Sequence, residues 1–177
     1  SFEQGNILDH RWMKEQSLQL TPEQVQTLFT TLEINALPEN RNYKYDFFYD
    51  NCASRIRDIV RTSLQGQVTF DSSSMKPGIT MRQLLRPYLV QHPWTQFGID
   101  LVLGMPTDKK ADLEKFVFLP DNLHDAFAGA KHANGLPLIQ SEIKIPEFDF
   151  PAEPLPTPWS GPLVAMILVG VIGLLSL

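Results

Sequence analysis

Tyr43-Lys44-Tyr45-Asp46-Phe47-Phe48-Tyr49-Asp50-Asn51-Cys52-Ala53-Ser54-Arg55-Ile56-Arg57-Asp58-Ile59-Val60-Arg61-Thr62-Ser63-Leu64 holds the only cysteine of the chain and changes character at it. Before Cys52, Tyr43, Tyr45 and Phe47 recur at every second position, the period of a strand with one buried face. After it, Ile56, Ile59, Val60 and Leu64 fall on one side of a helix. Asn51 stands between the two patterns. Its side-chain oxygen suits it to cap a helix start, which makes Cys52 the first helical residue.

Free amides and the positive end of the helix dipole favour an anion at that position. The thiolate is the nucleophilic form of cysteine, and helix N-termini lower thiol pKa values. The same residues carry a plainer reading. At 100° per residue Cys52 shares a face with Ile56, Ile59 and Ser63. A lone cysteine on such a face serves as a small buried hydrophobe.

The motif Tyr45 to Asp58 resembles the signature of the Lnb N-terminal periplasmic domain family. Ser17-Leu18-Gln19-Leu20-Thr21-Pro22-Glu23-Gln24 resembles that family's Leu-x-Leu-Thr entry into a helix, and Phe118-Leu119-Pro120-Asp121 with Leu123 resembles a further landmark. The resemblance spans most of residues 7–140. The Asn-Cys pair is also similar to that of the permuted papain-like acyltransferases of the lecithin:retinol acyltransferase type. The resemblance implies a reactive Cys52 that takes an acyl chain from a phospholipid as a thioester. A lipoprotein's N-terminal amine would then accept the chain. It implies a bacterial inner-membrane location with the soluble part in the periplasm.

The totals set outer bounds. A chain of 177 residues with 43% hydrophobic content can build a real core. Its net charge is -5 and it has no Lys/Arg-rich run, which argues against a nucleic-acid partner. One cysteine excludes an internal disulfide and a cysteine-rich zinc site. Residues 162–177 carry no charge and read as most of a transmembrane helix, truncated at its far side. Pro146, Pro151, Pro154, Pro156, Pro158 and Pro162 mark residues 146–161 as an extended linker, with Trp159 placed at a membrane interface. Residues 1–145 then form the periplasmic domain, N-terminally truncated. The expected fold class is α+β and helix-rich: a fragment of a permuted papain-like domain followed by a membrane helix.

Along that domain, Thr21-Pro22-Glu23-Gln24 opens a helix with Val25, Leu28, Phe29 and Leu32 as its stripe. Thr80 to Gln83 repeats the capping box before Met81, Leu84, Leu85, Tyr88 and Leu89, with Pro87 set to kink or end the helix. Trp94, Phe97, Leu101 and Val102 are expected in the core, with a lipid-facing patch as the alternative. Asp108 is expected to cap a short helix that turns Phe116 and Val117 inward. A helix from Pro120 should run through Ala130 and end at Ala133-Asn134-Gly135, and Leu138 to Ile145 alternates as a strand.

The candidate site is Cys52 with Asn51, whose neighbouring amides would form an oxyanion hole. Tyr49, Asp50, Arg55 and Arg57 are candidates for substrate binding, arginine being suited to a phospholipid phosphate. Their plainer role is a solvated, salt-bridged helix face on which Asp58 pairs Arg55 or Arg61. Asp46 and Asp50 are expected to fix the turn. A cysteine nucleophile needs a base, most often histidine. His10, His92, His124 and His132 are available, the last two spaced to share a helix face, and none has a convincing setting. The resemblance implies a base upstream of Ser1. No metal or cofactor is expected. The alternatives are a cysteine amidase or peptidase of the cell envelope, and a non-catalytic membrane-tethered interaction domain.

Overall fold

The computed structural model describes residues 2–8, 13–146 and 161–175. They fall into two compact units, the first within 1–76 and 112–151, the second within 77–111 and 152–177. The class is α+β and helix-rich.

In the first unit, α1 (Phe2–Leu8) precedes β1 (Met13–Leu18), which pairs antiparallel with β4 (Ile139–Ile145) from Met13↔Ile145 to a register shift at Ser17/Leu18. The chain thus closes a sheet between residues more than a hundred positions apart. The helix α2 (Pro22–Ala36) starts as the capping box requires, with Thr21 accepting from Gln24 N–H and Gln24 returning the bond. It turns Gln24, Leu28, Thr31 and Asn35 partly inward, and leaves Val25, Phe29 and Leu32 exposed. The expected apolar stripe is therefore open in this structure, next to the face that packs on α3.

The helix α3 (Cys52–Ser63) is followed by β2 (Val68–Thr69), which pairs with β3 (Lys131–His132). The helices α6 (Leu113–Phe116) and α7 (Pro120–Ala128) complete the unit. Its core gathers Val60, Leu64, Phe70, Phe116, Phe118, Phe127 and Leu138. Phe70 and Phe127 lie 4.9 Å apart between ring centroids. Two boundaries differ from expectation. Asp112, not Asp108, caps α6, by accepting from Lys115 N–H. The helix α7 ends at Ala128, because residues 131–132 leave to pair with β2. Asn134-Gly135 is thus a hairpin turn, with Gly135 at φ 84° and His132 N–H bonded to Leu136 O.

In the second unit, α4 (Met81–Leu89) begins at the Thr80 capping box and retains Pro87 in its last turn. The helix α5 (Pro93–Leu103) leads through Gly104, at φ 59°, into the 3-10 turn Met105–Asp108. Arg82 organises these elements. Its guanidinium binds Asp108 at 2.7 Å, Asp100, and the Gly104 carbonyl at 2.7 Å. Asp108 is unavailable as a cap for this reason. The core expectation for α5 fails: Trp94, Phe97, Leu101 and Val102 are all exposed.

The helix α8 (Gly161–Leu175) has 15 residues and contacts α5. At 1.5 Å per residue it spans about 22 Å, against about 30 Å of bilayer hydrocarbon. No helix among the described residues is long and apolar enough to cross a membrane, so the expected transmembrane helix is not found. Most of the proline-rich linker, and Trp159, lie outside the described residues.

Gly129 follows α7 where Asp71 crosses it. A Cβ there would sit 2.5 Å from Asp71 Cβ. Asp71 cannot simply retreat, since its N–H bonds Ala126 O and its carboxylate holds Ser73. Gly129→Ala should cost about 1–3 kcal/mol in urea unfolding, and a neutral result would refute this packing.

Several carboxylates sit below their ordinary values, Asp71, Asp108 and Glu142 among them. Ser73 lowers Asp71, Arg82 lowers Asp108, and the Gln16 amide lowers Glu142. A depressed carboxylate binds fewer protons folded than unfolded. Its contribution is complete above the ordinary values of 3.8 and 4.5 and is lost as pH falls through the depressed ones. Urea midpoints should therefore hold steady down to about pH 5 and fall progressively below it.

Candidate active site around Cys52

The turn before Cys52 is built by side chains. Asp46 Oδ1 accepts from Phe48 N–H and Tyr49 N–H, both at 3.0 Å. Asp46 and Asp50 exchange backbone bonds of 3.0 and 3.1 Å. The chain folds back within five residues, so the expected strand over Tyr43–Phe47 does not form. The alternating aromatics are on this reversal instead. Tyr43, Tyr45, Phe47 and Tyr49 are exposed, while Phe47 and Phe48 lay ring edges on buried Phe118, at 5.7 and 5.2 Å between centroids.

Asn51 then starts α3. Its Oδ1 accepts from Ala53 N–H and Ser54 N–H, each at 2.9 Å. Ser54 Oγ accepts from Asn51 N–H at 2.9 Å, which completes a capping box. The amide end is also committed: Nδ2 donates to Phe47 O at 2.9 Å and to Phe118 O at 2.8 Å. Asn51 is 3% exposed and has no polar atom left for a substrate. It is a positioning residue.

Cys52 is exposed at the first position of α3. The helix packs through Ala53, Arg57, Val60 and Leu64, which places Cys52 and Ile56 on its outer side. This face choice corrects the buried-cysteine reading. Apolarity had pointed to Ile56 and Ile59 as the inward side, yet the small Ala53 and Ser54 permit the closer approach. Ala53 N–H and Ser54 N–H are taken by Asn51, and Arg55 N–H by Asn51 O. Of the amides of residues 52–55, only that of Cys52 remains for an oxyanion.

The two candidate arginines have different fates. Arg57 is 4% exposed and binds Asp58, Glu114 O and the Glu114 carboxylate, so it ties α3 to α6. It is structural, not a solvated or ligand-facing group. Arg55 is half-buried and reaches Asp50 through Nε at 2.8 Å and Nη2 at 3.1 Å, with Tyr43 stacked at 3.4 Å from its Cζ. Asp50 takes the place expected for Asp58, and its hydrogen bond raises the Arg55 pKa. Asp58 reaches Arg61 at 4.0 Å. Asp50 and Arg55 line a cleft of about 260 Å³ with Thr31, Asp58, Ile59 and Thr62, a juxtaposition with α2 that sequence spacing did not reveal.

No histidine of this unit, among the described residues, hydrogen-bonds to Cys52. His124 Nε2 stands 2.9 Å from Glu142 Oε2, out of line for a hydrogen bond, and its Nδ1 contacts Asp125 at 3.3 Å. His132 Nε2 is 2.8 Å from Gln19 O. The two lie on α7 and β3, not on one helix face. His92 precedes α5 in the other unit, and His10 lies outside the described residues.

The Asn51 network yields a discriminating pair of variants. Asn51→Ala loses the cap and strands two buried carbonyls, for about 2–4 kcal/mol. Asn51→Asp keeps the cap acceptor but sets a carboxylate oxygen against Phe47 O and Phe118 O. It should destabilise by at least half as much in denaturant unfolding. An Asp variant as stable as the parent would show that capping alone matters.

Residues 2–87 match the family model described as the Lnb N-terminal periplasmic domain. The match contains β1, α2, the Asn51-Cys52 turn and α3, and stops before the Phe118 landmark. No curated protein and no solved structure matches the chain. Over residues 2–87, the segment that carries Cys52, the chain matches the Lnb N-terminal periplasmic domain family.

Proposed function

We propose that the chain is part of a thiol-dependent acyltransferase of the bacterial cell envelope, acting in the periplasm at the inner membrane. The observation that carries this reading is the exposed Cys52 at the head of a helix whose start is rigidly capped. In the proposed reaction the Cys52 thiolate attacks a phospholipid acyl ester. A C–S bond forms, the ester C–O bond breaks, and the lysophospholipid leaves. The amine of a lipoprotein's N-terminal residue then attacks the thioester, forming the amide and releasing the thiol. The permuted papain-like architecture is part of the same proposal.

The surroundings support this division of labour. Ile56 and the exposed aromatics of the 43–49 reversal give a lipid chain an apolar surface near the thiol. Arg55 is the arginine suited to a headgroup phosphate, and Asp50 and Tyr43 hold its guanidinium in place. Tyr49 is exposed beside it in sequence. The Cys52 N–H would meet the oxyanion as the tetrahedral carbon forms.

The test is acyl transfer from phospholipid to a diacylated lipopeptide, using the chain in its full-length context. Cys52→Ser should lower the rate by at least about a thousandfold. Mass spectrometry of the parent should find Cys52 carrying an acyl group. Unchanged transfer by the Ser variant would refute the proposal. Release of cleaved cell-wall peptides without lipid consumption would instead identify the amidase reading.

A further inference from the structure

The second unit carries an apolar surface that its own chain leaves open. Trp94, Phe97 and Leu101 recur at helical spacing along α5, and the stripe continues through Val102 to Met105. Leu101 is 73% exposed, Val102 84% and Met105 84%. Beside α5, the helix α8 contains no charged residue, and Met166, Leu168, Val169, Ile172 and Leu174 are all exposed. An apolar surface of this extent signals a partner.

Charge identifies the partner's chemistry. The one ionisable side chain of α5, Asp100, is drawn onto Arg82 and so does not interrupt the stripe. Immediately after Met105 and Asp108 come the exposed Lys109 and Lys110, and Arg86 is close enough to depress the Asp108 carboxyl with Arg82. Residues 77–111 hold four cations against two carboxylates, within a chain of net charge -5. The segment that carries the apolar stripe is therefore net positive within a net negative chain. Apolar side chains rimmed by cations fit an anionic bilayer surface, where the former enter the acyl boundary and the latter meet phosphates. We propose that α5 and the Met105 turn dock on anionic phospholipid, with Trp94, Leu101, Val102 and Met105 immersed and Arg86, Lys109 and Lys110 at the headgroups. This deepens the membrane setting of the proposed function and rests on it, but not on the chemistry of Cys52.

The experiment uses the whole chain with Trp12→Phe and Trp159→Phe, which leaves Trp94 as the sole tryptophan. Phosphatidylglycerol vesicles with brominated acyl chains should blue-shift and quench Trp94. Phosphatidylcholine vesicles and raised salt should weaken the effect. Leu101→Glu/Val102→Glu, at exposed positions and with an unchanged circular dichroism spectrum as the folding control, should reduce the quenching at least about tenfold. Lys109→Glu/Lys110→Glu should weaken binding to the anionic vesicles only. Three results would overturn the proposal: vesicle binding without Trp94 quenching, which assigns binding to α8 alone; equal quenching by zwitterionic and anionic vesicles; or a lipid-free, concentration-dependent blue shift from a second copy on α5. The readout needs no turnover, so Cys52→Ser should bind like the parent. Loss of acyl transfer as a hypothesis would leave this result standing.

Discussion

One side-chain amide sets the geometry of the candidate site. Asn51 makes two bonds with its oxygen and two with its nitrogen, and the four point in three directions along the chain. The oxygen fixes the first turn of α3. The nitrogen anchors that turn to the preceding reversal and to the carbonyl of Phe118. A buried amide with every valence satisfied is rigid, because any rotation strands at least one partner in a dry interior. Cys52 inherits that rigidity through one peptide bond, while its side chain faces out. The thiol is thus held in place by a neighbour whose own polar atoms are all engaged within the protein.

The same logic separates the arginines. Arg57 and Arg82 are each spent on several acceptors and serve as internal struts of their respective units. Arg55 is held by one carboxylate and one ring at the edge of a cleft, which leaves it the group best placed to exchange a partner. Sequence spacing cannot make this distinction, since all three sit on amphipathic helices and the partners that separate them include residues far along the chain.

Local signals read well. Both Thr capping boxes, the Asn51 cap, the start of α7 at Pro120 and the β4 strand are written in short motifs, and for the three caps local hydrogen bonding decides the outcome. What misled was periodicity without tertiary context. The Tyr43–Tyr45–Phe47 alternation has the period of a strand, yet the Asp46 carboxylate folds it into a turn. The apolar stripe of α3 pointed inward by hydropathy, whereas close packing at Ala53 and Ser54 rotated it. Asp108 looked like a cap until Arg82, 26 residues away, claimed it. The end of α7 is set by pairing with β2, more than sixty residues upstream. Such outcomes depend on partners that no window of sequence contains.

The bond from Asn51 to Phe118 has an implication for modularity. The family pattern is matched only to residue 87, but the carbonyl that secures the cysteine turn comes from residue 118. The strand facing β1 comes from later still, at 139–145. The inheritable unit is therefore longer than the recognisable one. Any natural or engineered recombination that preserved the signature and exchanged the downstream segment would keep the lettering of the site and lose its mechanical footing. The footing of the cysteine turn is thus a main-chain atom and a ring supplied from outside the matched segment.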